Sequence, residues 1–305
     1  MAVPGREIKQ RLRSIKNSKK ITKAMELVSA AKMRRSVQAA MASRTYAVLI
    51  IDIMQRILAS VELQTGDSVY RFFHGQKVEH TTIIMFTSNR GLCGAFNSNV
   101  IKKVFSYIQQ AGRDHVTVLA LGKKGVAALN TVGIKAELAY AKADNARDPS
   151  SITEVAAYAY KQYHAGKTDK VVVAYTDYLS AVNQVATIKQ LFPIPQQAAT
   201  ISAAINNADR AASLPVAPTS VNYLYEPTTL AVLNFLIPRL ADVQIYQALL
   251  ESNASEHSAR MVAMKNATDA ASDMIDELVL AFNRARQAVI TKEIAEISAG
   301  TAAVT

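Results

Sequence analysis

The chain has 305 residues, half of them apolar and 19% charged, with a net charge of +11 and a single cysteine. That size and balance support one or two domains with a sizeable core and exclude wholesale disorder. The lone Cys93 excludes an internal disulfide and a four-cysteine zinc site, and it fits a reducing compartment.

Two stretches are defined by what they lack. Between Gly5 and Gly66, and again between Pro238 and Gly300, there is neither glycine nor proline. With Ala, Leu, Lys, Arg and Glu abundant, Arg6–Thr65 and Arg239–Ala299 read as two long helices. At about 1.5 Å per residue each reaches roughly 90 Å if unbroken. Helices of that length hide their apolar residues against one another, so the fold class expected is α/β: a long antiparallel coiled coil of the terminal helices plus a central α/β domain. The division expected is 1–65, 66–237 and 238–305. In the second stretch Met264, Ala267, Ala271, Met274, Leu278, Ala281, Ala285 and Ala288 form a coiled-coil seam. In the first, Ile8, Leu12, Ile15, Ile21, Ala24, Val28 and Ala31 are the candidates.

Charge is concentrated at the start. Residues 1–45 hold twelve Lys or Arg against Glu7 and Glu26, whereas 251–299 hold eight acidic and five basic residues. The first helix therefore presents a surface suited to an acidic partner, whether nucleic acid, an anionic membrane or a carboxylate-rich protein. Residues 6–45 contain no aromatic to stack on a base, which weighs against nucleic acid. No run approaches the roughly 20 apolar residues that span a bilayer. The opening Met1–Gly5 has no signal-peptide core, so a soluble protein kept inside the cell is expected.

Between the two helices the periodicity changes. Gly66–Thr82 reads as a loop. Strands are expected at Thr82–Thr87, Val116–Leu121, Ile134–Tyr140 and Lys170–Tyr175, alternating with helices at Phe96–Gln110, Lys123–Thr131 and Ile152–His164. This alternation predicts a mostly parallel sheet covered by helices, with Val182–Gln190 as an antiparallel edge. Gln196–Ser213 reads as a surface insertion and Asn222–Glu226 as a short returning strand. The second long helix starts near Thr228 or after Pro238.

Glycine after a strand is where an α/β domain would bind a nucleotide. Arg90–Gly94 and Leu121–Gly125 are the candidates, and neither has the G-x-G-x-x-G or P-loop spacing. The five histidines never fall at i, i+3 or i, i+4, and no G-x-S-x-G elbow occurs. No catalytic constellation, metal site or cofactor is expected.

Four motifs carry a resemblance. Ile15–Glu26 followed by Ala30–Arg35, then Ser88–Asn97, Ala254–Asp269 and Asn283–Glu293, stand in the order and at the length of the gamma subunit of F-type ATP synthase. The sequence closely resembles that family. The resemblance implies a central shaft turning inside a ring of three alpha and three beta subunits, with the α/β domain joined to epsilon and to the membrane ring of c subunits. ATP chemistry then belongs to beta, nucleic acid is not a partner, and the chain meets the membrane only peripherally through the complex.

The resemblance also implies particular contacts. Arg286, Gln287, Thr291 and Glu293 match positions touching a beta-subunit loop. Lys20, Lys23 and Met25 match the segment facing the acidic lever of beta, and Arg260 matches a position linked to coupling. Asn89 stands where many members have Asp, and the cysteine-containing regulatory insertion of chloroplast members is absent. A bacterial protein on the cytoplasmic side of the plasma membrane is the expectation. Two other classes compete with this one: a basic coiled-coil protein binding nucleic acid through residues 6–45, and a nucleotide-dependent α/β enzyme.

Overall fold

A computed structural model describes residues 5–61, 63–144, 150–194 and 224–304. Helix α1 spans Gly5–Ser60 and ends where the Ser60 hydroxyl turns back to donate to the Ile57 carbonyl at 2.8 Å. It stops five residues short of the expected end, and the segment expected to be all loop contains the short helix α2, Tyr70–Phe73. There follow β1 (Thr81–Phe86), α3 (Phe96–Ala111), β2 (Val116–Leu121), α4 (Lys123–Thr131), β3 (Leu138–Tyr140), α5 (Ser150–His164), β4 (Lys170–Tyr178), β5 (Gln184–Phe192) and α6 (Thr229–Val304). The last helix begins before Pro238, not after it. The Thr228 hydroxyl accepts the Ala231 N–H at 3.2 Å as an N-cap, and Pro238 is carried inside the helix at the cost of one backbone bond.

The chain divides into two compact units: Met1–Ala30 with Arg260–Thr305, and Ala31–Ala259. The larger unit is built on a five-stranded sheet in the order β3-β2-β1-β4-β5. β1 pairs in parallel with β2 and β4, β2 in parallel with β3, and β5 runs antiparallel to β4 at the edge, as expected. Alternation along β1 explains its unbroken apolar run. Ile84 and Phe86 face one layer, with Ile50, Met54 and Ile57 of α1, Val155 and Ala159 of α5, and Leu233, Ile237 and Leu249 of α6. Ile83 and Met85 face the other, with Val100, Val104 and Ile108 of α3 and Leu129 of α4. A strand covered on both faces favours apolar residues throughout, and the buried Thr82 at its start pairs its hydroxyl with that of Thr168 at 2.9 Å.

β3 is shorter than expected. Ile134 instead ends a turn, its N–H donating to the Leu129 carbonyl at 3.0 Å, and its side chain joins the α3–α4 layer. Leu224–Glu226 form no strand, and the rest of the expected returning strand, like Gln196–Ser213, lies outside the described residues.

The amino-terminal edge of the sheet is pinned by one ion pair. Arg71 Nη2 lies 2.8 Å from Asp169 Oδ1, and Asp169 Oδ2 accepts the N–H groups of Glu79 and His80 at 3.0 Å each. Burial pushes the Asp169 carboxyl up, but the His80 and Glu79 N–H groups and Arg71 outweigh it and hold its pKa below the usual value. Tyr163 donates its hydroxyl to the Arg71 carbonyl at 2.7 Å. Its phenol is pushed up to about 12, mainly by burial.

Candidate functional site

Within the smaller unit α1 and α6 pair as antiparallel helices. The covered positions on α1 are Ile8, Leu12, Ile15, Lys19, Thr22, Glu26 and Ser29, and on α6 Met264, Thr268, Ala271, Ile275, Leu278, Phe282 and Ala285. Both sets advance by four and three residues, the period of a coiled-coil seam. The expected phase was correct only in part. Met264, Ala271, Leu278 and Ala285 lie in the seam, but Met274 is 54% exposed, and Ile21 and Val28 are 61% and 57% exposed. The reason is chemical: this seam is built partly of hydroxyls. Thr268 donates to Thr22 Oγ1 at 2.8 Å, and Ser29 is buried, so an apolar stripe marks the wrong face.

Along one side of the seam, and sharing Leu12, Lys19 and Ile275 with it, lies a basic groove of about 930 Å³, lined by Lys9, Arg13, Lys16, Lys19, Lys20 and Lys23 together with the apolar Leu12, Ala24, Leu27 and Ile275. Lys20 and Lys23, expected as partner contacts, both line it. Lys23 also reaches Glu26 at 2.9 Å along its own helix, an exposed pair worth about 0–1 kcal/mol. Met25 is half-buried beside them and Arg260 is buried at 9% exposure. Arg286, Gln287, Thr291 and Glu293 are all exposed on the last turns of α6. There Ile290, Ile294 and Ile297 are also exposed, a row of apolar side chains at helical spacing.

The larger unit has its own polar centre, where an open α/β sheet would hold a ligand: beyond the carboxyl ends of its parallel strands. That place is filled by α6. Asn253 donates to the Ala143 carbonyl at 3.0 Å after β3, Ser255 to Thr176 O at 3.1 Å in β4, and Ser258 to Ala181 O at 2.6 Å before β5. Twelve consecutive residues of the helix, Gln247–Ser258, are buried. The deepest contact is ionic. Lys142 Nζ lies 2.5 Å from Glu256 Oε2 with both side chains almost fully enclosed, 3.5 Å from Ser252 Oγ and 5.1 Å from the centre of the Phe96 ring. Nearby, burial lowers the Lys189 pKa, with Glu251 and Asp177 pulling it partly back.

The two glycine turns serve the same packing. A side chain at Gly122, φ +118°, would overlap the Thr87 carbonyl, and one at Gly125 would strike Met85 and Thr87. Thr87 Oγ1 donates to Gly122 O at 3.1 Å and accepts the Gly125 N–H at 2.9 Å, which closes the turn on the end of β1. In the other turn Ser88, Cys93 and Asn97 hold one another, with Asn97 Nδ2 2.7 Å from Ser88 Oγ and 3.2 Å from Cys93 Sγ. Asn89 donates to the Lys142 carbonyl at 2.7 Å and accepts its N–H at 3.0 Å. A carboxylate at this position would only accept, whereas the amide of Asn89 does both and so holds the backbone of the residue whose side chain meets Glu256. Sequence reasoning missed Lys142, Ser252 and Glu256. The available signal was a run of small and polar residues, Ser252–Ser258, in a helix otherwise patterned for packing.

A family model described as ATP synthase matches residues 5–304. The ATP synthase gamma chain of Heliobacterium modesticaldum is 39% identical over 303 residues, covering 99% of this chain and 100% of that one. That of Chloroflexus aurantiacus is also 39% identical, over 306 residues and 99% of each chain. A paired-helix unit joined to a helix-filled α/β sheet is thus the class of an ATP synthase subunit. The chain belongs to the ATP synthase gamma chain family. Solved structures share its fold. A chain from the Tetrahymena thermophila mitochondrial ATP synthase central stalk and c-ring aligns at TM-score 0.60 and 24% identity, covering 81% of this chain and 99% of that one. One from the Euglena gracilis mitochondrial ATP synthase, a structure of OSCP, F1 and c-ring, aligns at 0.63 and 20%, covering 98% and 94%. Among the described residues no helix is long and apolar enough to cross a membrane.

Proposed function

We propose that this chain is the central rotating shaft of a proton-translocating ATP synthase, carrying torque between the c-ring and a ring of three alpha and three beta subunits, and that it is itself non-catalytic. The observation that carries the reading is α6. Its middle fills the crevice where the sheet of an α/β enzyme would bind substrate, and its carboxyl-terminal part pairs with α1. In this reading residues 1–65 and 238–305 act as the shaft and 66–237 as the domain that meets epsilon and the c-ring. The complex sits on the cytoplasmic face of a bacterial plasma membrane, which this chain touches only through its partners.

The site residues take roles accordingly. Lys20 and Lys23, in the basic groove, meet carboxylates of beta, where charge complementarity steers and registers contact more than it adds affinity. Met25 packs beside them, Arg260 holds the shaft geometry required for coupling, and Arg286, Gln287, Thr291 and Glu293 touch a beta loop. The exposed isoleucines of the last turns support a shaft whose end is enclosed by partners. The test is reconstitution with alpha and beta subunits. ATP-driven rotation of a bead attached to this chain is expected. A salt-dependent shift with DNA and no binding to alpha and beta would replace this reading with nucleic-acid binding.

A further inference from the structure

We propose that the buried Lys142–Glu256 pair is the rotational lock of the shaft, the contact that fixes the angle of α6 about its own axis on the α/β sheet so that torque passes between them without slip. The inference rests on the shaft reading above and names the residues through which that reading works. It begins with an energetic anomaly. Both side chains are withdrawn from water, and a buried ion pair is poor value as a stabiliser, because apolar residues of the same volume commonly do as well or better. What an apolar patch does not do is choose one angle. Leu, Ile and Ala on neighbouring turns offer α6 several nearly equivalent seats, whereas an ammonium and a carboxylate enclosed at 2.5 Å have one.

The surroundings are built for that purpose. The Lys142 backbone is held at both its N–H and its C=O by Asn89, which is anchored in the turn after β1. Its ammonium is held between the Phe96 ring and Ser252 Oγ, one turn before Glu256 on α6. The neighbouring bonds, Asn253 to Ala143 O, Ser255 to Thr176 O and Ser258 to Ala181 O, come from different sides of the same helix and reach different strand ends. Helix rotation therefore strains all of them together with the ion pair. Lys142 and Glu256 are positioning residues: they act on torque transfer through α6.

The test uses the assembled complex in sealed vesicles, with Lys142→Met/Glu256→Met in this chain. The expected result is a chain that folds with an unchanged or higher thermal midpoint, assembles and hydrolyses ATP, but loses proton pumping per ATP hydrolysed. A second variant, Lys142→Arg, keeps the charge and the donor and is expected to keep coupling. Full pumping per ATP by the double variant would overturn the proposal. So would its failure to fold, because the pair would then serve stability and not angle. A wild-type chain that neither joins alpha and beta nor pumps would instead sink the shaft reading, so the two failures are told apart by the wild-type control.

Discussion

Thr22 of α1 and Thr268 of α6 meet hydroxyl to hydroxyl at 2.8 Å inside the helix pair, with the Met264 carbonyl 2.8 Å from the Thr268 hydroxyl and the Lys19 carbonyl 3.1 Å from that of Thr22. A polar contact in a seam sets register, as a single buried Asn does in a coiled coil. Thr268→Val keeps shape and removes the donor. It is expected to cost about 1 kcal/mol of unfolding free energy, and Thr22→Val made in addition should cost less than it does alone. Urea unfolding of the four chains of this double-mutant cycle measures the coupling, and strict additivity would contradict the contact.

Gly122→Ala tests the closed turn. The residue sits at φ +118°, and a Cβ there overlaps the Thr87 carbonyl. Backbone strain of this kind costs about 1–3 kcal/mol before the overlap is counted, so a lowered thermal midpoint with unaltered helix content is expected. Gly91→Ala, where a Cβ meets nothing within 4 Å, is the control and should change little.

Asp169 sets a limb of the pH profile. Its folded-state pKa is depressed, so the unfolded chain binds the proton more tightly and the stabilisation is present above the unfolded carboxylate value, about 3.9. It is lost as pH falls through the folded value. Unfolding midpoints measured from pH 7 downward should fall less steeply at the acid end in Asp169→Asn than in the wild type, and identical slopes would remove Asp169 from the account.

Arg286 and Gln287 are exposed on α6 and have no fold role to confuse the outcome. Replacing both by Ala is expected to leave the unfolding free energy within about 0.5 kcal/mol of wild type while lowering ATP synthesis and ATP-driven rotation by the assembled complex. Unchanged synthesis and rotation would strike both from the contact set.

Much of the fold was legible because strands buried on both faces read as apolar runs: Ile83–Phe86 and Val171–Tyr175 could be little else. The long helices were legible from missing breakers, although Pro238 inside α6 shows that one proline does not end a helix held by packing on Leu233, Ile237 and Leu240. The seam phase was misread because Thr22, Ser29 and Thr268 carry it, while the larger apolar Ile21, Val28 and Met274 face outward. The polar run Ser252–Ser258 marked the buried stretch of α6, but the pairing of Lys142 with Glu256 was not legible. Its members are 114 positions apart in sequence, and burial of a charge is a property of the fold that no local pattern announces.

The central claim is that one copy of this chain serves as the shaft of a ring of alpha and beta subunits. Native mass spectrometry of the complex co-purified through a tag on this chain tests it most directly. The account predicts a single dominant assembly with one copy of this chain to three alpha and three beta subunits. A chain recovered alone, with nucleic acid, or in equal numbers with beta would contradict it.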